Sequence, residues 1–362
     1  MLYLLGTYFE SLEFLKSIYF RAIVGFTISF SLVLLLGNPF IKYLKKKKFG
    51  EEIRDDGPSS HLSKKGTPTM GGVLIIAVLF ISNLLCADIS NNFILILFTT
   101  TFLFAVIGFI DDYKKFTVNK KGLSGKKKLL GQGLIGILLW FFICKNGLTS
   151  NPDLDFSIIN PINSNLHLYI GGIGMFIFIV LILMGTSNAV NITDGLDGLA
   201  IMPMIICSAI LAVVAYFTGH LDLSNHLKLF YIKGSGEITV YLSAICGGGL
   251  GFLWYNFYPA QIFMGDTGSL TLGGILGVTA ILLKQELLLP VIGGIYVAET
   301  LSVILQVGSF KLRGVRIFKM APLHHHFELS GLAETKVTMR FWIASFMFGM
   351  AALGIIRLRG FF

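Results

Sequence analysis

The chain has 362 residues, of which 54% are hydrophobic and only 14% are charged, and its formal net charge is +9. About a quarter of the residues in soluble domains are charged, so this composition excludes an ordinary soluble fold. The four cysteines lie in apolar runs without metal-ligand spacing and are interpreted as packing residues. The bilayer is therefore the expected solvent.

Apolar runs long enough to cross the hydrocarbon core as helices recur along the whole sequence. Ten spans are predicted, at residues 18–36, 71–87, 93–110, 129–144, 168–186, 198–217, 238–254, 268–283, 287–310 and 339–357. The first run is too long for a cleaved signal peptide and lacks a small-residue cleavage site, so it should remain as an anchor. The expected fold is an all-α polytopic membrane protein, with residues 1–362 as one integral-membrane domain.

Lysines and arginines are distributed unevenly between the predicted loops. Most of the 29 lie in segments 37–70, 111–128 and 311–337, whereas the alternate loops hold only Lys145, Lys228, Lys233 and Lys284. Because short cytoplasmic loops carry the excess of positive charge, both termini are predicted to be periplasmic. The basic runs beside the spans are typical of topology determinants that contact anionic headgroups, and no nucleic-acid partner is expected.

An acidic pair, Asp111-Asp112, ends the third predicted span on the cytoplasmic side, and a lysine-rich segment follows it. Two carboxylates at a membrane boundary are costly unless they meet a cation, either a lysine or a metal ion. The motif alone fits a helix-end pair satisfied by Lys114 or Lys115 as well as it fits a catalytic pair.

Amides and carboxylates recur at every third position of a second cluster, at Asn188, Asn191, Asp194 and Asp197. Helical geometry would align these side chains on one face. Gly195 and Gly198 instead favour a turned backbone that approaches a ligand closely. A helix end followed by a loop, with its polar groups facing a ligand, is predicted here, and a simple polar turn is the alternative.

Asp266 opens the eighth predicted span, within the segment Phe263-Met264-Gly265-Asp266-Thr267-Gly268-Ser269. An aspartate at this position is suited to be the N-cap of the helix that follows. It is equally suited to hold Mg²⁺, a hard cation that prefers oxygen ligands and keeps positions for water and phosphate. Both interpretations stand at the level of sequence.

Three consecutive histidines, His324, His325 and His326, follow Pro322 in the last long cytoplasmic loop. Consecutive helical residues point about 100° apart and cannot all bind one zinc ion, and no cysteine accompanies them. Hydrogen bonding to phosphate oxygens is the favoured function. A basic loop that faces solvent or headgroups is the alternative.

Five segments match, in chain order, the signature segments of one known family. They are Pro68-Thr69-Met70-Gly71-Gly72, Asp111-Asp112-Tyr113, residues 188–198, residues 263–269 and residues 322–329. The chain resembles the polyprenyl-phosphate N-acetylhexosamine-1-phosphate transferase superfamily almost end to end. The first segment and the triple histidine resemble the branch that transfers phospho-MurNAc-pentapeptide. Correspondence is weakest between Tyr113 and Gly131.

This resemblance implies a ten-span homodimer in the bacterial cytoplasmic membrane that uses Mg²⁺ to join UDP-MurNAc-pentapeptide to undecaprenyl phosphate, giving lipid I and UMP. By matching motifs, Asp266 would hold the metal, and Asp111 and Asp112 would act at the reacting phosphates. The nucleotide pocket would involve Lys64, Asn188, Asn191, Asp194, Gly195, Leu196, Asp197, Asn256 and Phe263. The sugar-phosphate side would involve Thr69, Gln306, Ala321 and the catalytic histidines His324, His325 and His326.

Two other functions are compatible with part of this pattern. A secondary transporter has a similar number of spans, but its polar sites lie near the midplane. Here the clusters lie at the inner boundary, and only Glu299 falls at mid-depth, where it lines a groove or pairs with a neighbouring helix. The other alternative is the sister transferase that uses UDP-N-acetylglucosamine. Only the family resemblance separates it from the first interpretation. For the transfer itself, direct attack by the lipid phosphate is favoured over a phospho-aspartate intermediate.

Overall fold

A computed structural model describes residues 1–47, 64, 66–117 and 122–359. The α-helices in these ranges are α1 (Leu2–Tyr8), α2 (Ile18–Lys46), α3 (Gly71–Cys86), α4 (Asn92–Thr117), α5 (Gly125–Asn146), α6 (Pro152–Asp155), α7 (Gly171–Thr193), α8 (Ile201–Thr218), α9 (Leu221–His226), α10 (Gly236–Asn256), α11 (Gly265–Leu282), α12 (Leu289–Ile292), α13 (Gly294–Arg313), α14 (Leu323–Glu328) and α15 (Glu334–Arg359). A 3-10 helix at Glu10–Lys16 precedes α2.

Nine of the ten predicted spans each correspond to one of these helices, and the span at 287–310 corresponds to two, which confirms the all-α polytopic class. Nine helices of the described ranges are long and apolar enough to cross a membrane. The remaining predicted span corresponds to α3, an apolar helix of 16 residues. At about 1.5 Å per residue, α3 is a few residues short of the usual hydrocarbon thickness.

Two of the predicted spans differ from the helices for a local reason. The span predicted from residue 168 begins at Gly171, because His167–Tyr169 (β2) pairs antiparallel with Ser157–Ile159 (β1). The span predicted as continuous over 287–310 is divided at Gly293, which separates the short α12 from α13. These features are invisible to a hydropathy pattern, because the sequence remains apolar across both.

Helices α10 and α11 form the centre of the bundle. Helix α10 packs against α2 and α8, and α11 packs against α4 and α7. In a bilayer, close van der Waals packing through small residues drives helix association. At Gly247 of α10, an added Cβ would lie 2.1 Å from the Phe26 carbonyl oxygen of α2, so only glycine permits this crossing. The two central helices thus hold the outer helices in register.

Three of the four cysteines are buried, as expected of packing residues. Cys86, Cys207 and Cys246 lie inside the bundle, whereas Cys144 is exposed near the end of α5. The interpretation of Cys144 as a packing residue was therefore wrong. Helix α5 presents much of its surface outward, so an apolar position on it need not be an internal one.

The cysteine inventory permits a direct test of orientation. In a Cys144→Ser background, Ser330→Cys should react with a membrane-impermeant maleimide added from the cytoplasmic side, and Asp153→Cys should react only from outside. Both positions are exposed. Labelling of intact spheroplasts and of inverted vesicles, compared side by side, measures this. The opposite pattern would reverse the proposed orientation of the whole bundle.

Candidate active site

The last turns of α4 and the first turn of α11 bring three buried carboxylates together. Ligand atoms of Asp111, Asp112 and Asp266 all lie within 4.8 Å of one another. Three carboxylates this close cannot remain ionised without nearby cations or hydrogen-bond donors. The partners of each carboxylate therefore define what the cluster can do.

Asp112 holds the start of α11. Its Oδ1 accepts the backbone N–H of Asp266 at 3.0 Å, and its Oδ2 accepts the backbone N–H and the hydroxyl of Thr267 at 2.8 and 2.6 Å. The N-cap position belongs to Met264, which makes no side-chain cap. The N-cap interpretation of Asp266 is thus wrong, because the capping carboxylate comes from another helix.

A positive φ of 72° at Gly265 turns the chain so that these donors face Asp112. An added Cβ at Gly265 would lie 2.8 Å from Asp112 Oδ2. Both the conformation and the close approach therefore require glycine at this position. Asp266 is left in the first helical turn with its own carboxylate uncommitted to the backbone.

Two lysines bridge the remaining carboxylates. Lys115 Nζ lies 2.7 Å from Asp111 Oδ2 and 2.8 Å from Asp266 Oδ1. Lys128 Nζ, from the start of α5, lies 3.1 Å from Asp111 Oδ2 and 2.6 Å from Asp266 Oδ2. With all three carboxylates ionised, the five groups carry a net charge of −1, so the cluster retains attraction for a further cation.

The donor set of the cluster fits a hard divalent cation. Asp111 Oδ1 accepts the backbone N–H of Leu123 at 2.7 Å, whereas Asp111 Oδ2 is buried and, within the described part of the chain, makes no hydrogen bond of good geometry. Among the described residues, Lys115 and Lys128 donate hydrogen bonds to the two oxygens of Asp266. Carboxylate oxygens that meet side-chain amines rather than backbone groups are available to Mg²⁺, which prefers oxygen ligands.

The segment that contains Thr69 pairs with the approach to α11. Phe263 N donates to the Pro68 carbonyl, and the N–H groups of Gly71 and Gly72 donate to the carbonyls of Phe263 and Met264, each at 2.8 Å. An added Cβ at Gly72 would lie 2.1 Å from a backbone nitrogen in α11. This pairing buries Thr69 and places the half-buried Phe263 one turn before the carboxylates.

The amides of the second cluster connect α7 to its neighbours. Asn188 donates to Gln132 Oε1 at 3.0 Å, and Asn191 donates to Ser269 Oγ, one turn beyond Asp266, at 2.8 Å. Helix α7 ends at Thr193, with Asp194 as its C-cap. The predicted helix end and loop is confirmed, although the threefold spacing is helical only as far as this boundary.

A lysine joins the loop after α7 to the last helix. Lys64 Nζ lies 2.6 Å from Asp197 Oδ1 and 2.5 Å from Oε1 of Glu334, the first residue of α15. The same Glu334 oxygen accepts the N–H of Asp197 at 2.9 Å. Burial opposes the charge on Lys64, but the hydrogen bonds that it donates to the two carboxylates outweigh this cost and raise its pKa. Lys64 is therefore a cation at physiological pH.

Asn256 fixes the same loop from the opposite side. Its Oδ1 accepts the N–H of Gly198 at 3.1 Å, and its Nδ2 donates to the Ile262 carbonyl at 2.8 Å. Asp197 Oδ2 accepts the N–H of Ala260 at 2.9 Å. Asn256 and Asp197 thus connect the loop after α7, which includes the buried Leu196, to the segment that leads into α11.

The three histidines have different Nδ1 partners. His324 Nδ1 lies 3.0 Å from Oε2 of Glu299, and His325 Nδ1 lies 2.9 Å from Oε2 of Glu328. His326 Nδ1 accepts the N–H of Lys319 at 3.1 Å. His324 is buried and lies against Gly195, where an added Cβ would be 2.3 Å from Nε2.

Gln306 holds the loop that leads to the histidines. Its Oε1 accepts the N–H groups of Ile317 and Phe318 at 2.9 Å, and its Nε2 donates to the Phe318 carbonyl at 3.0 Å. Ala321, half-buried, follows this loop and precedes Pro322, the N-cap of α14. The loop is therefore braced by a side chain from α13.

The four predicted clusters meet at one end of the bundle, through the contacts of Asn191 with Ser269 and of Gly195 with His324. Sequence reasoning named Lys115 only as a pairing partner of the acidic pair and Glu299 only as a groove-lining or helix-pairing residue, and it missed Lys128 and Glu334. The four-residue spacing of Asp111 and Lys115 was a usable signal, because such pairs are neighbours on a helix. Nothing local indicates the others, which reach the site from distant helices.

The described helices and their buried carboxylates are those of a polytopic membrane protein with a polar site at one end. Comparison with known proteins identifies its class as a membrane transferase. Residues 94–284, more than half of the chain, match the family model described as glycosyl transferase family 4. Residues 64–76 match signature 1 of phospho-N-acetylmuramoyl-pentapeptide-transferase. A curated Fusobacterium nucleatum protein of that name is 69% identical over 360 residues, covering 99% of each chain. The chain belongs to the phospho-N-acetylmuramoyl-pentapeptide-transferase family.

The capping role of Asp112 predicts a loss of stability on its removal. Asp112→Ala would leave two backbone N–H groups and one hydroxyl unpartnered, each orphaned donor costing about 1–3 kcal/mol. Thermal unfolding in detergent should therefore shift to lower temperature. Thr267→Val, which removes only the hydroxyl, should give a smaller shift. An Asp112→Ala protein as stable as the wild type would refute the cap.

Proposed function

We propose that this protein transfers phospho-MurNAc-pentapeptide from UDP-MurNAc-pentapeptide to undecaprenyl phosphate, releasing UMP and forming lipid I for peptidoglycan in the bacterial inner membrane. The observation that carries the proposal is the 69% identity, over almost the whole of both chains, to a curated transferase of that name. The buried carboxylates and lysines at one end of a membrane bundle fit the reaction, because both substrates bring phosphates to it.

The reaction breaks one phosphoanhydride bond and forms another, so no ATP is needed. Catalysis then consists mainly of positioning two anions and neutralising charge for an in-line displacement. A phosphate monoester has its second pKa near about 6 and is largely a dianion at neutral pH. The lipid phosphate can therefore attack directly, without a phospho-aspartate intermediate, and the phosphoryl group passes to it as UMP leaves.

Asp266 and Asp111 are the proposed ligands of Mg²⁺. Their lysine-facing oxygens are available, whereas both oxygens of Asp112 are occupied by the first turn of α11. Bound Mg²⁺ would offset the charge that develops on the phosphates. Asp112 then acts by placing Asp266, and Asp111 also orients the lipid phosphate or accepts its residual proton.

Lys115 and Lys128 have a second role in this proposal. Each bridges carboxylates that a metal would claim, and each is partly exposed on its side chain. Amines released from the carboxylates remain close to the reacting centre and can pair with substrate phosphates. The cluster thus exchanges carboxylate–lysine pairs for lysine–phosphate pairs when substrates bind.

The loop after α7 is the proposed nucleotide pocket. Asp194, Gly195 and Leu196 follow the helix end, and Phe263 provides an aromatic face on which uracil can stack. Asn188, Asn191, Asp197, Asn256 and Lys64 shape the pocket through the bonds described above. The sugar-phosphate side of the pocket is bounded by Thr69, Gln306, Ala321 and the three histidines.

A homodimer is proposed from the family resemblance.

Substrate choice separates this function from its nearest rival. Purified protein with undecaprenyl phosphate should release UMP from UDP-MurNAc-pentapeptide and far less from UDP-N-acetylglucosamine at equal concentration. Chromatographic measurement of UMP checks this, with omission of the lipid phosphate as the blank. Preference for UDP-N-acetylglucosamine would assign the protein to the sister activity instead.

The metal assignment predicts that Asp266→Asn leaves a folded but nearly inactive protein. Asparagine keeps the size of the side chain and removes the charge that a hard cation requires, while the α11 cap on Asp112 is untouched. UMP release should fall by about two orders of magnitude or more, comparable to loss of one electrostatic catalytic group.

Thermal unfolding provides a second measurement that does not depend on turnover. Mg²⁺ should raise the unfolding temperature of the wild type, because a ligand that binds only the folded state stabilises it. This rise should vanish in Asp266→Asn and persist in Asp153→Asn, a matched change in the outer loop. Normal turnover of Asp266→Asn with an unchanged response to Mg²⁺ would show that other carboxylates bind the ion.

A further inference from the structure

Glu299 is a buried carboxylate of α13 that the transfer reaction, as proposed above, does not use. Both of its oxygens face one residue. Oε2 lies 3.0 Å from His324 Nδ1, and Oε1 accepts the backbone N–H of His324 at 3.2 Å. Side-chain exposure is 0% for Glu299 and 1% for His324. Two bonds to the same residue, in a site without solvent, fix the orientation of the imidazole ring.

His324 has a second ring nitrogen, which Glu299 does not contact. Its Nε2 is buried and has no hydrogen-bond partner within the described residues. An added Cβ at Gly195 would lie 2.3 Å from Nε2, so this atom faces the turn that follows α7. A buried imidazole nitrogen without a partner is costly, and it becomes satisfied when a ligand group reaches it.

The position of the proton follows from the partners. A carboxylate accepts hydrogen bonds only, so the hydrogen of a neutral His324 lies on Nδ1 and Nε2 carries a lone pair. Burial lowers the pKa of His324 even though Glu299 opposes this shift, which favours the neutral ring. His326 has the opposite arrangement, because its Nδ1 accepts the N–H of Lys319 and its Nε2 then carries the hydrogen.

We infer that Glu299 is a positioning residue that holds the ring and the tautomer of His324, so that Nε2 accepts a hydrogen bond from an N–H or O–H group of the nucleotide substrate. This inference rests on the proposed function, which places that substrate at the turn formed by Asp194, Gly195 and Leu196. The site accordingly offers the substrate both a hydrogen-bond acceptor, at His324, and a donor, at His326.

Glu299→Gln tests the inference because the geometry determines how glutamine must sit. The oxygen of the amide should keep the backbone N–H of His324, which turns the amide NH₂ toward Nδ1. The ring must then move its hydrogen to Nε2, and an acceptor facing the substrate becomes a donor. Loss of such an orienting partner lowers activity by about 10- to 100-fold in comparable histidine sites, and we expect a loss of this size in kcat/KM.

Nitrogen-15 NMR of histidine-labelled protein in detergent reads the tautomer directly and needs no substrate. In the wild type at neutral pH, His324 should show a protonated Nδ1 and an unprotonated Nε2, and Glu299→Gln should reverse them. Glu328→Gln is the matched control, since it changes the carboxylate that pairs with His325, and it should leave His324 protonated at Nδ1 and unprotonated at Nε2.

A double-mutant cycle separates positioning from a general structural role. If Glu299 acts through His324, adding Glu299→Gln to His324→Gln should cause no further loss of kcat/KM. Fully additive losses would overturn the inference, as would a wild-type His324 protonated at Nε2 instead of Nδ1. The second result decides the matter even if Glu299→Gln fails to fold. Failure of the proposed function would appear separately, as a wild type that releases no UMP from UDP-MurNAc-pentapeptide.

Discussion

The site depends on one interaction between helices, the capping of α11 by the carboxylate of Asp112 on α4. The first N–H groups of a helix have no partner within it, and at this depth in the bundle water does not supply one. By satisfying them, Asp112 fixes where Asp266 stands relative to Asp111. The carboxylate cluster, its bridging lysines and any metal it holds follow from that placement.

A second network of side-chain hydrogen bonds holds the opposite side of the site. Lys64, Asn256 and Glu299 each make two or more bonds that tie a loop to a distant helix. Buried backbone groups outside helices need other partners, and here side chains supply several of them. Polar residues at this site therefore both hold loops in place and, in the proposed function, contact substrate. The effect of a variant on thermal stability must be measured beside its effect on activity.

The sequence predicted the helices and the four polar clusters, because hydropathy and motif spacing are local properties. It did not predict which side chains of different helices would pair. Whether Asp112 or Asp266 capped α11 depended on how α4 crosses α11, and the partnership of Lys128 with Asp266 depended on the course of the chain after α4. The division of the ninth span at Gly293 and the exposure of Cys144 likewise reflect neighbours rather than local sequence.

Membrane proteins are made from the N-terminus, and domains fold in that order during synthesis. Glu334, which accepts hydrogen bonds from Lys64 and from the N–H of Asp197, belongs to α15 and is synthesised long after both of these residues. Until α15 has been inserted, the loop after α7 lacks its hydrogen bond to Glu334. A chain synthesised only as far as α14 contains all three clustered carboxylates and both bridging lysines but lacks the Glu334 partner of the loop after α7.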